Sequence, residues 1–144
     1  MRSVARNAWR DERVSTLIEF AILSILFLLI TFGTMEYGRM IFDYNVVAHA
    51  TREGARWAAV HGASAGDAAA SPTAIKTYVA NHSLGFIQAD NVTVDWSLPN
   101  GNSGTNKPGN TVRVRAQATF QTGAPLLPVL SVDLASQTKM VIAR

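Results

Sequence analysis

Residues 15–36 read STLIEFAILSILFLLITFGTME, and no charged side chain occurs between Phe20 and Met35. With Leu17, Ile18 and Glu19 the run comes to about 19 positions, close to the ~20 residues that carry a helix across the hydrocarbon core of a bilayer. Its apolar surface is interrupted only by Ser24, Thr31 and Thr34, whereas a helix in a soluble core carries a polar stripe at helical spacing. A cleaved secretory signal has a shorter apolar core, about 7–15 residues, followed by small residues. The continuation FGTMEYGRM (residues 32–40) has no such pattern. The run therefore predicts a membrane span over about residues 17–35.

Upstream, Arg2, Arg6, Arg10 and Arg13 form a short basic leader, residues 1–14. Basic residues before a span hold the N-terminus in the cytoplasm and send the downstream chain outward. With Asp11 and Glu12 counted, the leader carries +2 of the chain's net +3. Nucleic-acid binding is not expected, since no Lys/Arg face with interleaved aromatics appears. Apolar residues make up 48% of the 144 and charged residues 16%, a balance that fits one domain with part of its chain in lipid. With no cysteine in the chain, disulfides, thiolate metal sites and a cysteine nucleophile are excluded.

Downstream, no proline occurs before Pro72, and apolar residues continue at Tyr37, Met40, Ile41, Tyr44, Val47, Ala48, Ala55, Ala58 and Ala59. That spacing predicts one long helix over residues 15–62, about 72 Å at 1.5 Å per residue. Arg39 with Asp43, and Glu53 with Arg56, stand at helical neighbour spacing. Ala50, Gly54, Ala58 and Gly62 recur at every fourth position. Small side chains on one edge allow another backbone to come close, although alanine also simply favours helix. Arg52, Glu53, Arg56 and Trp57 form a compact polar and aromatic group, suited either to an interface or to a solvated helix face.

Residues 63–144 read as an extracytoplasmic α+β domain. After a connector rich in Ala, Ser and Gly, SPTAIKTYVANHSLG (71–85) predicts a short helix with Ser71 as cap and Pro72 at its first position. Three later runs alternate with period two. Their apolar faces are Val92, Val94, Trp96 and Leu98; Val112, Val114, Ala116, Ala118 and Phe120; and Val132, Leu134, Met140 and Ile142, the last weakened by Ser136 and Thr138. Such alternation predicts an antiparallel sheet of about three strands with one buried face. The distal part of the long helix is the natural cover, since three strands need one. PNGNSGTNKPGN (99–110) predicts an exposed, mobile loop. TGAPLLPVL (122–130), apolar with two prolines, does not suit a central strand; it can pack over the end of the sheet or touch a neighbour or the membrane, and packing within the subunit is the favoured expectation.

No catalytic constellation emerges, and neither a cofactor nor a metal is expected. His49 and Glu53 share a helix face, but two ligands are not a site, and His61 and His82 are expected elsewhere. Neither a nucleophile-elbow nor a phosphate-loop pattern occurs. A non-enzymatic protein is the expectation.

The basic leader, STLIEF, the hydrophobic stretch, GTMEYGRMIF and ATREGARWAAVHG together resemble the TadE-like proteins, pilin-like components of tight-adherence (Tad) pilus systems. The matching positions are Ile18 to Phe20, Glu36 to Arg39 and Ala50 to Ala58. The resemblance implies a pilin-like α+β fold: one long N-terminal helix, membrane-spanning in its first half, packed on the sheet with one short extra helix. It also implies a single-pass protein of the bacterial cytoplasmic (inner) membrane, a minor pilin or pseudopilin that acts in pilus assembly and can join an extracellular pilus. The implied partners are membrane lipid, other pilin-like subunits and the assembly machinery, with homo- or hetero-oligomers formed through the long helix. Helix-packing positions carried over are Arg39, Ala50, Arg52, Glu53, Gly54, Arg56, Trp57 and Ala58.

A prepilin peptidase would cut between Val14 and Ser15, making Glu19 the fifth mature residue, with Phe20 beside it in assembly. The residue before the cut is ordinarily Gly, sometimes Ala, and here it is Val14. That departure leaves two outcomes, a processed subunit or a permanently anchored extracytoplasmic binding domain that keeps its leader. Glu19 has a physical rationale of its own. A carboxylate at the bilayer centre costs about 2.5–3.5 kcal/mol on insertion scales and less near the boundary. Inside a helical bundle it would need a partner, which a neighbour's new N-terminal ammonium could supply.

Overall fold

From Arg2 to Val60 the chain forms one α-helix, α1, in keeping with the lack of proline before Pro72. It reaches back through the leader and stops two residues before Gly62. The computed structural model describes residues 2–125 and 127–143, with side chains over 14–66, 69–125 and 127–143. The leader's arginine side chains lie outside the described residues. Contacts divide the chain into two units, one holding the helix to Gly38 with Thr122–Val129, the other Arg39–Gln121 with the chain from Leu130.

In the first unit the apolar stretch is uncovered: Leu17, Phe20 and Phe27 are each about two-thirds exposed. α1 is long and apolar enough to cross a membrane, and an uncovered all-round apolar surface suits lipid better than water. The hydroxyls of Thr31 and Thr34 are satisfied within the helix. Thr31 Oγ1 donates to the Phe27 carbonyl and Thr34 Oγ1 to that of Ile30, each at 2.8 Å, which removes the penalty of an unpaired polar group in hydrocarbon.

In the second unit, α1 is followed by α2 (Pro72–Asn81) and strands β1 (Val92–Ser97), β2 (Thr111–Gln121) and β3 (Ser131–Val141). The sheet is antiparallel in the order β1-β2-β3. Its register sets Val92, Val94 and Trp96 opposite Ala116, Val114 and Val112. Val112, Val114, Ala116 and Ala118 in turn face Met140, Thr138, Ser136 and Leu134. The two polar residues that weaken β3's pattern thus sit beside short apolar partners at the middle of the strand. Leu98 and Val132, expected on the buried face, are 37% and 41% exposed; Leu98 lies just past the end of β1.

The core joins Val47, Ala50, Ala55, Ala58 and Ala59 of α1 to Ile75 and Val79 of α2 and the inner face of the sheet. The stripe is covered from Val47 onward only. Tyr37, Ile41 and Tyr44 are 60%, 42% and 47% exposed, because no element of their own unit covers them. A main-chain bond from Ala143 N–H to the Ala59 carbonyl, 2.9 Å, ties the chain after β3 to the helix end.

α2 begins as its sequence dictates: Pro72 stands in the first turn and Ser71 Oγ accepts from Ala74 N–H at 3.1 Å. Ser71→Ala should cost about 1 kcal/mol of stability, measurable by chemical denaturation in detergent. The loop 99–110 is largely exposed, as expected, and several of its main-chain groups bond to the rest of the unit. Gly104 N–H donates to the Trp96 carbonyl (2.9 Å), Ala63 N–H to that of Asn106 (2.7 Å) and Gly109 N–H to that of Ile142 (3.0 Å). Its turn-forming glycines Gly101 and Gly109 take φ of 87° and 83°, a region that glycine enters without steric cost.

Candidate functional site

The N-terminal candidates lie on exposed helix. Val14, Ser15, Glu19 and Phe20 all face outward, Val14 with 54% and Phe20 with 69% of its surface accessible. The Val14–Ser15 bond is part of regular α1 backbone. Glu19 interrupts an otherwise apolar exposed surface, so any helix packed on this side meets a carboxylate.

At the other end of the apolar stretch stands Glu36, only 6% exposed. Its Oε1 accepts the Gly123 N–H at 3.2 Å, which joins the TGAPLLPV segment to the helix. Glu36→Ala should therefore cost about 1–3 kcal/mol by leaving a part-buried donor unpaired. The check is faster hydrogen exchange at Gly123, with exchange at Val114 in the sheet core unchanged. The E-x-G-R motif marked this residue, but only the fold brings Gly123, 87 positions away, to it.

Arg39 places its guanidinium carbon 5.7 Å from the centroid of the Phe120 ring, within cation–π range. Partial burial raises the Asp43 carboxyl above the ordinary carboxylate range, and the charge of Arg39, one turn away, pulls it down.

The second motif region separates into two faces. Ala50, Gly54 and Ala58 are buried against their own unit. A Cβ built on Gly54 would overlap Val79 Cγ2 and come within 3.9 Å of Val114 Cγ1. The small-residue edge thus admits α2 and β2 of the same chain. Arg52 and Arg56 are exposed, with Arg52 Nε donating to the Ala48 carbonyl at 3.1 Å; Glu53 and Trp57 are half-buried.

Trp57 belongs to a ladder of four rings that no single segment of sequence announces. His61 stacks on Trp57 at 4.6 Å, Trp57 on Tyr78 at 5.2 Å, and Tyr78 on His82 at 4.0 Å. His61 Nδ1 lies 2.9 Å from the Trp57 carbonyl and His82 Nδ1 2.8 Å from that of Tyr78; a carbonyl only accepts, so each Nδ1 carries the proton. The i, i+4 spacing of 57/61 and 78/82 is visible in sequence, whereas their stacking requires α2 to dock.

Next to it, Phe42, Asn45, Val46, His49, His82 and Leu84 line a groove of about 440 Å³. Phe42 meets Phe86 edge-to-face at 6.3 Å, and Leu84 adopts a φ of 54° with 75% of its surface exposed. His82 therefore neighbours His49, contrary to the sequence expectation. Among the described residues no group of three or more His, Asp or Glu gathers that could hold a metal. A polar recess of about 320 Å³ opens at Asp95, Asn102 and Arg113, where Arg113 Nε is buried without a partner. These features supply surfaces for packing and contact.

No curated protein matches the chain, and no solved structure does. A family model described as TadE-like protein matches residues 15–56, the interval that contains the apolar stretch, Glu19, Glu36 and the region from Ala50 to Arg56. Over that helix the chain is similar to the TadE-like family that its motifs resemble.

Proposed function

We propose that this protein is a non-enzymatic, pilin-like component of a tight-adherence pilus system, acting as a minor pilin or pseudopilin in assembly. The carrying observation is the family match at residues 15–56, an interval that includes the exposed apolar stretch of α1. The helix anchors the protein in the inner membrane with the basic leader in the cytoplasm and residues 63–144 outside, as the distribution of arginines favours. Subunit contacts use the exposed residues of α1, Glu19 and Phe20 at its start, Tyr37, Ile41 and Tyr44 beyond the span, and Arg52 and Arg56 farther on, with the half-buried Glu53 and Trp57 beside them. Exposed apolar side chains in such numbers mark an interaction surface. Ala50, Gly54 and Ala58 serve the interior of the subunit, and Arg39 flanks the contact surface.

A tagged chain expressed in its native background should be recovered with surface filaments sheared from the cells. A specific observation supports a second reading, a permanently anchored extracytoplasmic binding domain: Val14 occupies the position where the family's peptidase ordinarily meets glycine. Under that reading the tagged chain stays entirely with the membranes.

A further inference from the structure

The TGAPLLPV segment is grouped with the helix up to Gly38 and not with the sheet whose strands it connects. One bond ties it to the helix and another folds it on itself. Gly123 N–H donates to Glu36 Oε1 at 3.2 Å, and Thr122 Oγ1 donates to the Pro128 carbonyl at 2.9 Å, which closes the segment on itself. Glu36 is the first charge after the apolar run, adjacent to Met35 at its end. Pro128 returns beside Thr122, so Val129 stands only a few residues' reach from Glu36, on the order of 10 Å at 3.3–3.6 Å per residue. The headgroup layer on each side of a bilayer is about 5–7 Å thick, and an interfacial segment buries its apolar face about 5–10 Å into that boundary.

What the segment presents there is apolar. Val129 is 80% exposed, Met35 is 64% exposed, and Pro125 and Pro128 are exposed as well. The prolines lack an N–H that would need a partner in a poorly hydrated layer. A patch of exposed apolar surface marks an interaction site, and Glu36, the α1 residue bonded to this segment, directly follows the last residue of the apolar run.

We propose that the 122–129 segment is a lipid-contacting foot, which rests Val129 and its prolines in the outer headgroup boundary while Glu36 pins it to the helix. This rests on the reading of α1 as a membrane span. The natural chain has no cysteine, so single nitroxide labels can be placed on the full-length protein. In vesicles of phosphatidylethanolamine and phosphatidylglycerol, labels at Val129→Cys and, within the span, Leu26→Cys are compared by collision with oxygen and with a water-soluble nickel chelate. Both should show an oxygen-to-nickel ratio severalfold above that of free nitroxide in buffer. A lipid value at Leu26→Cys with a free-nitroxide value at Val129→Cys overturns the foot and leaves the span standing. A free-nitroxide value at Leu26→Cys overturns the span, and the foot with it.

Discussion

Gly54→Val should destabilise the extracytoplasmic unit by about 2–3 kcal/mol, lowering its melting temperature by roughly 10–20 °C for a unit of this size. The first added carbon would overlap Val79 Cγ2, and it would lie 3.7 Å from Val79 Cβ and 3.9 Å from Val114 Cγ1. Both valines are fully buried, so neither has free space to turn into, and overpacking of this kind moves backbone. Gly54→Ala separates the opposing terms. Alanine gains about 1 kcal/mol over glycine as a helix former, and its Cβ still meets the Val79 methyl. Adding Val79→Ala removes that methyl, so the double variant should be more stable than the sum of the singles by about 1 kcal/mol. Strict additivity in a denaturation cycle would mean that glycine is not there for close approach.

Glu19→Ala is expected to leave membrane insertion intact and to reduce recovery of the chain in filaments by more than about tenfold, the rate at which each ~1.4 kcal/mol counts. Insertion should improve slightly, since a carboxylate near the bilayer boundary is costly and alanine is not. Assembly suffers for the opposite reason. An ammonium that has been brought into a helical bundle against Glu19 loses its counter-charge, and breaking such a pair costs about 3–5 kcal/mol. Glu19→Asp, which keeps the charge on a shorter stem, should recover part of the yield, while Glu19→Gln should behave like alanine. Filament incorporation of Glu19→Gln at the natural level would remove charge pairing from the account.

The parts of the fold legible in sequence are those in which one segment carries its own pattern. An uninterrupted apolar run, a Ser-Pro helix start and period-two strands each declare themselves locally, and the register in the sheet follows from the strands' shared apolar face. The features hidden from sequence depend on tertiary apposition. The every-fourth-residue edge at Ala50, Gly54 and Ala58 is compatible with a partner from another subunit or from the same chain, and only Val79 and Val114 decide it in favour of the same chain. The helical stripe runs from Tyr37 onward, but periodicity reports a face and not its cover, and Tyr37, Ile41 and Tyr44 are exposed. Gly123 and Glu36, or Trp57 and Tyr78, are separated by too much chain for any spacing rule to join them. Loop 99–110 looks free by composition because turn residues do not reveal which carbonyls their N–H groups reach.

Mass spectrometry of the N-terminal peptide of this chain in sheared filaments tests the central claim most directly. An assembled, processed pilin-like subunit yields a mature terminus at Ser15, with Glu19 as its fifth residue. A chain found in the membrane fraction alone, still beginning at Met1, would contradict that account and establish the helix as a permanent anchor.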